Sequence, residues 1–304
     1  MAQAAVTRFA PSPTGRLHVG HAFAALFAAE AAHATANGRF LLRIEDIDKG
    51  RCRPAFESAI FEDLGWLGLR WEEPVRRQSA HMADYAAALS TLDAAGLLYP
   101  CFCTRAEIKA EIAAAGHAPH GPEGPRYPGT CRRLDEAERT ARKAEEGAFA
   151  LRLDMTRATS KAGPLTWRDQ DHGEQAARPE QFGDVVLARK DVPTSYHLAV
   201  TVDDHLQGIT LVTRGDDLRE ATHLHRLLQA LLGYEAPHYR HHPLILNRDG
   251  KRFAKREQSA TLAALREAGT TPDQLRGAIA SGDSERLLAL VEAAESALHA
   301  DHRP

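Results

Sequence analysis

The sequence has no apolar run long enough to cross a bilayer. Its most apolar stretch, Ala22 to Ala36, is interrupted by Glu30 and His33 and falls short of the ~20 residues a spanning helix needs. The N-terminal residues lack a basic segment followed by an apolar one, which excludes a recognisable secretory signal. Charge of either sign is not in marked excess: the formal net charge is −3 and the isoelectric point about 6.6. A chain-wide basic surface of the kind that drives nonspecific nucleic-acid binding is thereby excluded, although a local basic groove is not. Cysteine is scarce, with four residues in 304, and without a secretory signal they do not read as a disulfide framework. No internal repeat and no low-complexity tract is present beyond an alanine bias. The length allows one large domain or two modest ones, and a cytoplasmic enzyme without membrane contact is expected.

The first stretch with chemical content is Val6 to His21. Val6 to Ala10 predicts a strand, Pro11 to Gly15 a turn, and Gly20 to Asn37 an alanine-rich helix that Gly38 stops. Phe40 to Ile44 predicts a second strand that ends in the acidic cluster Glu45, Asp46 and Asp48. Strand, turn, helix and strand make a βαβ unit, whose binding edge lies at the carboxyl ends of its strands. His18 and His21 flank Gly20 where the helix begins. A helix N-terminus offers backbone N–H groups and positive dipole potential to phosphate. Gly20 allows close approach of a nucleotide, and the two imidazoles can donate hydrogen bonds to oxygens that gain charge during attack at phosphorus.

Further along, helices are predicted over Pro54 to Leu64, His81 to Ala95, Leu134 to Glu146 and Ala221 to Leu232. Strands are predicted over Phe149 to Leu153, Asp184 to Ala188, Tyr196 to Val202 and Ile209 to Thr213, and the chain from Ala260 onward reads as helical. Residues 116 to 129, rich in Gly, Pro and His, predict a loop.

The segment from Thr7 to His21, Thr-Arg-Phe-Ala-Pro-Ser-Pro-Thr-Gly-Arg-Leu-His-Val-Gly-His, resembles the HIGH signature of class I aminoacyl-tRNA synthetases, in the form carried by the glutamyl branch. Phe40 to Asp48, Ser195 to Asp204, Gly208 to Thr210 and Arg214 to Asp217 are similar to further motifs of that branch. The resemblance implies a Rossmann-type α/β catalytic domain over residues 1–258 with an inserted zinc-binding subdomain at about 97–180. It also implies a short helical C-terminal segment over 259–304. The implied chemistry is ATP-dependent, AMP-forming activation of L-glutamate, with Mg2+ accompanying ATP, and a monomer is expected.

Glutamate carries two carboxylates and one ammonium, so a selective pocket needs two cationic clamps and one anion. Arginine suits the clamps because its planar fork binds carboxylate bidentately. Arg8 and Arg214, each near a predicted strand end, can supply them; Glu45 can take the ammonium and Tyr196 can donate a hydroxyl hydrogen bond. By resemblance, Arg8, Ser12, Glu45, Tyr196 and Arg214 line the glutamate site, and which arginine takes which carboxylate stays open. His18, Gly20 and His21 are the implied ATP-binding residues, joined by Lys255. Lys255 lies in Asn247 to Arg256, where the family carries its basic KMSKS loop. Here Arg252 replaces the first lysine, and Ala254 and Arg256 replace the serines, a departure that implies slower catalysis.

Cys101 and Cys103, followed by Cys131, place three thiols on two short segments, a pattern suited to one structural Zn2+ ion. By donor chemistry, His117 or His120 is the preferred fourth ligand. The glutamyl-Q tRNA(Asp) synthetases, however, pair Cys-x-Cys with Tyr-x3-Cys, and this resemblance points to Tyr127 instead. Cys52 stands apart.

The stretch after Lys255 is shorter than the ~100–150 residues of a typical domain, so no anticodon-binding domain is expected. That too resembles the glutamyl-Q branch, which implies transfer of glutamate to queuosine in the anticodon of tRNA(Asp). The rival readings are a truncated or non-discriminating glutamyl-tRNA synthetase charging a tRNA 3′ end, and an inactive synthetase-like RNA-binding or regulatory module. A small-molecule nucleotidyltransferase is a third.

Overall fold

The structure is a computed structural model, and residues 4–114, 120–246, 261–282 and 284–300 are described. The chain divides into two compact units, the first built from residues up to 80, 209–217 and from 240 onward, the second from 81–208 and 218–239.

The first unit begins with strand β1 (Val6–Phe9), helix α1 (Val19–His33), strand β2 (Arg39–Ile44), helix α2 (Pro54–Trp66) and strand β3 (Glu72–Arg77). These strands form a sheet in the order β1-β2-β3, and both pairings are parallel. Parallel neighbours require a crossover, and α1 and α2 are the two crossovers. The alanine bias of α1 has a packing reason. Ala22, Ala25, Ala28, Ala29 and Ala32 are all buried, and the Thr7 hydroxyl donates to the carbonyl of Ala28 at 2.7 Å. Small side chains let the helix backbone approach the strand closely enough for that bond. At the end of α1, Asn37 takes the left-handed conformation (φ 60°). A Cβ on Gly38 would lie 1.9 Å from the Ala32 carbonyl oxygen, so this turn tolerates glycine alone.

The core of the first unit joins Leu42, Ile44, Ile60 and Leu64 with Leu265, Leu275, Leu287 and Val291. The latter come from helices Leu262–Glu267, Pro272–Ala280 and Ser284–Ala300, which form as the predicted helical tail does. Each such fully buried side chain contributes about 1.5–3 kcal/mol.

In the second unit, strand Ala150–Leu153 pairs antiparallel with Leu98–Cys101 and with Val186–Ala188. Strand Thr166–Asp169 pairs antiparallel with Gly173–Ala176. The predicted strand over Tyr196 to Val202 is instead a helix, Tyr196–Leu206. Its β-branched and aromatic residues suggested a strand, but the Ser195 hydroxyl caps the helix by accepting from Leu198 N. Every residue from His197 to Asp204 is buried, so the helix carries no polar face to mark a 3.6-residue period. Short elements in both units, including β3, Leu98–Cys101 and Met155–Ala162, have no counterpart among the predicted elements. Among the described residues no helix is long and apolar enough to cross a membrane.

Candidate active site

The turn between β1 and α1 brings the two predicted histidines into contact. His18 is the N-cap of α1: its Nδ1 accepts from the Gly20 N–H at 3.1 Å, and the His21 Nδ1 accepts from the His18 N–H at 3.1 Å. Two imidazoles thus do the work of a capping box, which usually pairs Ser or Thr with Glu or Gln. Their ring centroids are 3.8 Å apart. A Cβ on Gly20 would meet the His18 ring at 3.0 and 3.1 Å, so glycine here makes room for that imidazole. The chain rejoins the same turn just after the basic segment: Leu262 N donates to Leu17 O at 2.9 Å, and Thr261 bridges to His18. Lys255 and the rest of the KMSKS-like segment lie outside the described residues.

Four of the five residues assigned to the glutamate pocket belong to the first unit, near the carboxyl ends of its strands. Arg8, on β1, is buried, and its Nη1 donates to the carbonyl of Thr213 at 3.1 Å. That ties it to the residue preceding Arg214 on strand Leu211–Gly215. Arg214 is also buried, with its Nε 3.4 Å from the Nε2 of His241. Glu45 follows β2, and its N–H donates to the carbonyl of Pro11 at 3.0 Å, joining it to the turn that holds Ser12. Its carboxylate faces the wholly buried Arg43, Nη2 to Oε1 3.3 Å. Buried cations and anions placed at strand ends suit a zwitterionic ligand, because burial is costly unless charges are matched. Tyr196 lies in the second unit as the first residue of helix Tyr196–Leu206, its ring edge-on to His197 and His225.

The cysteine cluster is wholly within the second unit. The Sγ atoms of Cys101, Cys103 and Cys131 lie within 4.8 Å of one another, and the Tyr127 hydroxyl is 3.4 Å from the Cys103 Sγ. Cys131 N also donates to that hydroxyl at 2.9 Å. Burial pushes the Cys103 thiol up to about 12, with the neighbouring Cys131 adding to the rise. Burial acts the same way on Cys131, but hydrogen bonds from the Tyr127 hydroxyl and the Phe102 N–H outweigh it and hold that thiol below its ordinary value. The Tyr127 phenol is pushed well up, chiefly by burial. Three soft donors and one phenolic oxygen at such close range fit a closed zinc site. Cys101, Cys103, Cys131 and Tyr127 would hold that ion, which would cross-link residues 101–103 to residues 127–131. His117 lies outside the described residues, and only the backbone of His120 is described, in the two-residue strand His120–Gly121. Cys52 is not part of this cluster.

Sequence reasoning did not single out His241 or Arg43, which stand behind Arg214 and Glu45. It also missed the chain in which Glu123 meets His197 and His197 meets His225. The one available signal was the position of His197 directly after Tyr196 in a motif already noted.

A parallel sheet with paired imidazoles on its first strand-to-helix turn and arginines at its strand ends is the arrangement of a class I, ATP-dependent aminoacyl ligase. Residues 4–285 match the model for tRNA synthetases class I (E and Q), catalytic domain, and the chain belongs to that family. Enzymes of this class use ATP with Mg2+.

A glutamyl-Q tRNA(Asp) synthetase of Rhodobacter capsulatus is 47% identical over 276 residues, covering 89% of this chain and 98% of the relative. One of Nocardia farcinica is 45% identical over 268 residues, covering 88% of this chain and 81% of the relative. A glutamate–tRNA ligase of a Synechococcus species is 39% identical over 301 residues, covering 94% of this chain but 60% of the relative. The crystal structure of a glutamate tRNA ligase from Elizabethkingia meningosepticum in complex with its amino acid superposes with a TM-score of 0.70 at 31% identity. It covers 84% of this chain and 52% of that one. The chain therefore spans about half the length of that solved ligase.

Proposed function

We propose that the protein activates L-glutamate with ATP, without needing tRNA, and transfers it to queuosine in the anticodon of tRNA(Asp). The observation that carries this reading is similarity to the glutamyl-Q tRNA(Asp) synthetases, 47% identity extending over nearly the whole of the Rhodobacter relative. The Cys-x-Cys and Tyr-x3-Cys segments converging on one cluster support it. In the first step the α-carboxylate of glutamate attacks the α-phosphorus of ATP, and pyrophosphate leaves. Arg8 and Arg214 clamp the two carboxylates and Glu45 takes the ammonium, and the resemblance adds Ser12 and Tyr196 as residues for glutamate. His18 and His21 donate to phosphate oxygens as their charge grows, and Lys255 acts on the leaving pyrophosphate. Magnesium bound with ATP supplies further neutralisation of the triphosphate. In the second step a hydroxyl of the queuosine cyclopentene-diol attacks the glutamyl carbonyl and AMP leaves.

The glutamate–tRNA ligases, 39% identical over most of this chain in the Synechococcus case, favour one alternative, charging of a tRNA 3′ end. The deciding experiment is transfer of radiolabelled glutamate to purified tRNA(Asp) with and without queuosine, alongside tRNA(Glu). Label on the queuosine-containing tRNA(Asp) alone is expected. Label on tRNA(Glu) would replace the reading with the ordinary ligase, and failure of both transfer and ATP–pyrophosphate exchange would overturn it altogether.

A further inference from the structure

The second unit contains a cavity of about 270 Å³ that shares Tyr127 with the cysteine cluster but whose other lining residues have no role above. It is small beside the ~300–1,000 Å³ of most small-molecule sites, a size suited to one planar heterocycle. Ile108, Phe182 and Val186 give it apolar walls, and Glu123, Arg152 and His197 give it polar ones. Asp184 also lines it, but the protein already engages that buried carboxylate. Tyr99 OH donates to it at 2.6 Å, Met155 N at 3.0 Å, and Arg132 pairs with it at 3.2 Å.

Glu123 differs. Its side chain is 59% exposed and has one polar partner among the described residues, the Nε2 of His197 at 2.8 Å. On its other side the His197 Nδ1 is 3.0 Å from the Nε2 of the buried His225. In neutral rings this chain runs one way: His225 donates to His197, and His197 donates to the Glu123 carboxylate. That hydrogen bond also favours the ionised carboxylate, holding Glu123 below its ordinary value. The result is a fixed anion at the cavity wall, with Oε2 and the remaining lone pair of Oε1 left as acceptors. Arg152 is fixed nearby, its guanidinium 3.9 Å over the Tyr127 ring and its Nη1 on the Asp184 carbonyl at 2.7 Å.

A carboxylate held in place suits a ligand that presents adjacent N–H donors, and an arginine beside it suits a carbonyl acceptor. Among nucleobases only the guanine type offers a ring N–H and an exocyclic amino group side by side, next to a carbonyl. Adenine and the pyrimidines do not. Unstacked bases are read on this edge, with their faces against apolar or aromatic walls.

We propose that this cavity is a pocket for a guanine-type base, with Glu123 reading its Watson–Crick edge and His197 and His225 acting as positioning residues behind Glu123. Queuosine carries a base of this type, so the identification of the nucleoside rests on the function proposed above, whereas the class of base rests on the cavity.

The test is equilibrium dialysis of 7-deazaguanine, with adenine as control, against the full chain and its Glu123→Gln variant. Because Glu123 is exposed, this substitution leaves folding intact, which a thermal melt confirms. The expected result is saturable binding of 7-deazaguanine, no binding of adenine, and affinity roughly 10- to 100-fold weaker in the variant, the range for losing a bidentate base contact. In the transfer assay, 7-deazaguanine should compete with tRNA, and the variant should raise the KM for tRNA. A second variant, Val186→Trp, fills the cavity and should abolish binding of the base. No binding at millimolar 7-deazaguanine, or equal binding by wild type and Glu123→Gln, overturns the pocket. Base binding without any transfer to queuosine-containing tRNA(Asp) overturns the proposed acceptor and leaves the pocket standing.

Discussion

The Nδ1 of His21 accepts the backbone N–H of His18 at 3.1 Å. The His18 Nδ1 is occupied in the same way by the N–H of Gly20, so each neutral ring carries its proton on Nε2. The helix cap thereby sets the tautomer that the proposed function needs, with Nε2–H as the donor to phosphate. Asparagine keeps an acceptor near the Nδ1 position but has nothing at Nε2. His18→Asn and His21→Asn should each lower ATP–pyrophosphate exchange by about 10²–10³-fold, the range for losing one donor to a developing charge. The melting temperature should change little, because the cap survives. Near-normal exchange in both variants would remove the histidines from the reaction.

Arg214 is held by a neighbour. With its Nε 3.4 Å from the His241 Nε2, the guanidinium is oriented from behind, and in the proposed function it meets a glutamate carboxylate. His241→Leu removes that acceptor while keeping most of the buried volume. Binding of glutamate should weaken roughly tenfold, as when a hydrogen bond to a charged group is lost. The change should fall on the KM for glutamate with kcat nearly preserved, the pattern of lost uniform binding. A fall in kcat at constant KM would assign His241 some other task.

These two cases show where the sequence was informative. Motif residues with distinctive chemistry, His18, His21, Arg8 and Glu45, were legible, and so was the βαβ unit that carries them, because a strand, a turn and an alanine-rich helix follow in short order. The supporting residues were not. His241 acts through a contact between strands 27 residues apart in sequence, and although Arg43 lies two residues from Glu45, nothing local distinguishes either from other buried polar residues. Helix Tyr196–Leu206 reads as a strand in sequence because His197 to Asp204 are all buried, which erases the periodicity that separates helix from strand. The strand Glu72–Arg77, mostly charged and with only Val75 buried, gave no apolar signal.

The thiol cluster yields a prediction about metal. Around Cys101, Cys103 and Cys131 the apolar cluster is small among the described residues: besides two of the cysteines its buried members are Tyr99 and Phe102, with Tyr127, Leu134, Phe149 and Ala150 packed against them. A metal cross-link would therefore contribute much of the local stability, since binding to a folded site is coupled to folding. Elemental analysis of the purified protein should find one zinc per chain. Cys131→Ala should lower both zinc content and melting temperature, and Tyr127→Phe should weaken zinc retention against a chelator while leaving the thiols in place. Full zinc retention in Tyr127→Phe would move the fourth ligand elsewhere, and absence of zinc from the wild type would leave the cluster as three reduced thiols.

The last prediction concerns Asp63, on α2, which is completely buried. Its nearest cation is Arg266, whose Nη1 is 3.6 Å from Oδ1, too far for a hydrogen bond. Neither carboxylate oxygen has a hydrogen-bond partner among the described residues. Burial raises this carboxyl from 3.8 to about 6, with Arg266 offsetting part of the rise. The folded chain therefore holds this proton more tightly than the unfolded chain. Asp63 destabilises nothing below about pH 4, and its ionisation costs stability progressively as pH rises through about 6. The full cost at neutral pH is about 2–3 kcal/mol by linkage. Asp63→Asn cannot ionise, so it should melt several degrees above wild type at pH 8, and the difference should shrink to nothing by about pH 4. Other titrating groups are common to both proteins and cancel in the comparison. A melting-temperature difference that does not change between pH 4 and pH 8 would mean that Asp63 ionises as readily in the folded chain as in the unfolded one.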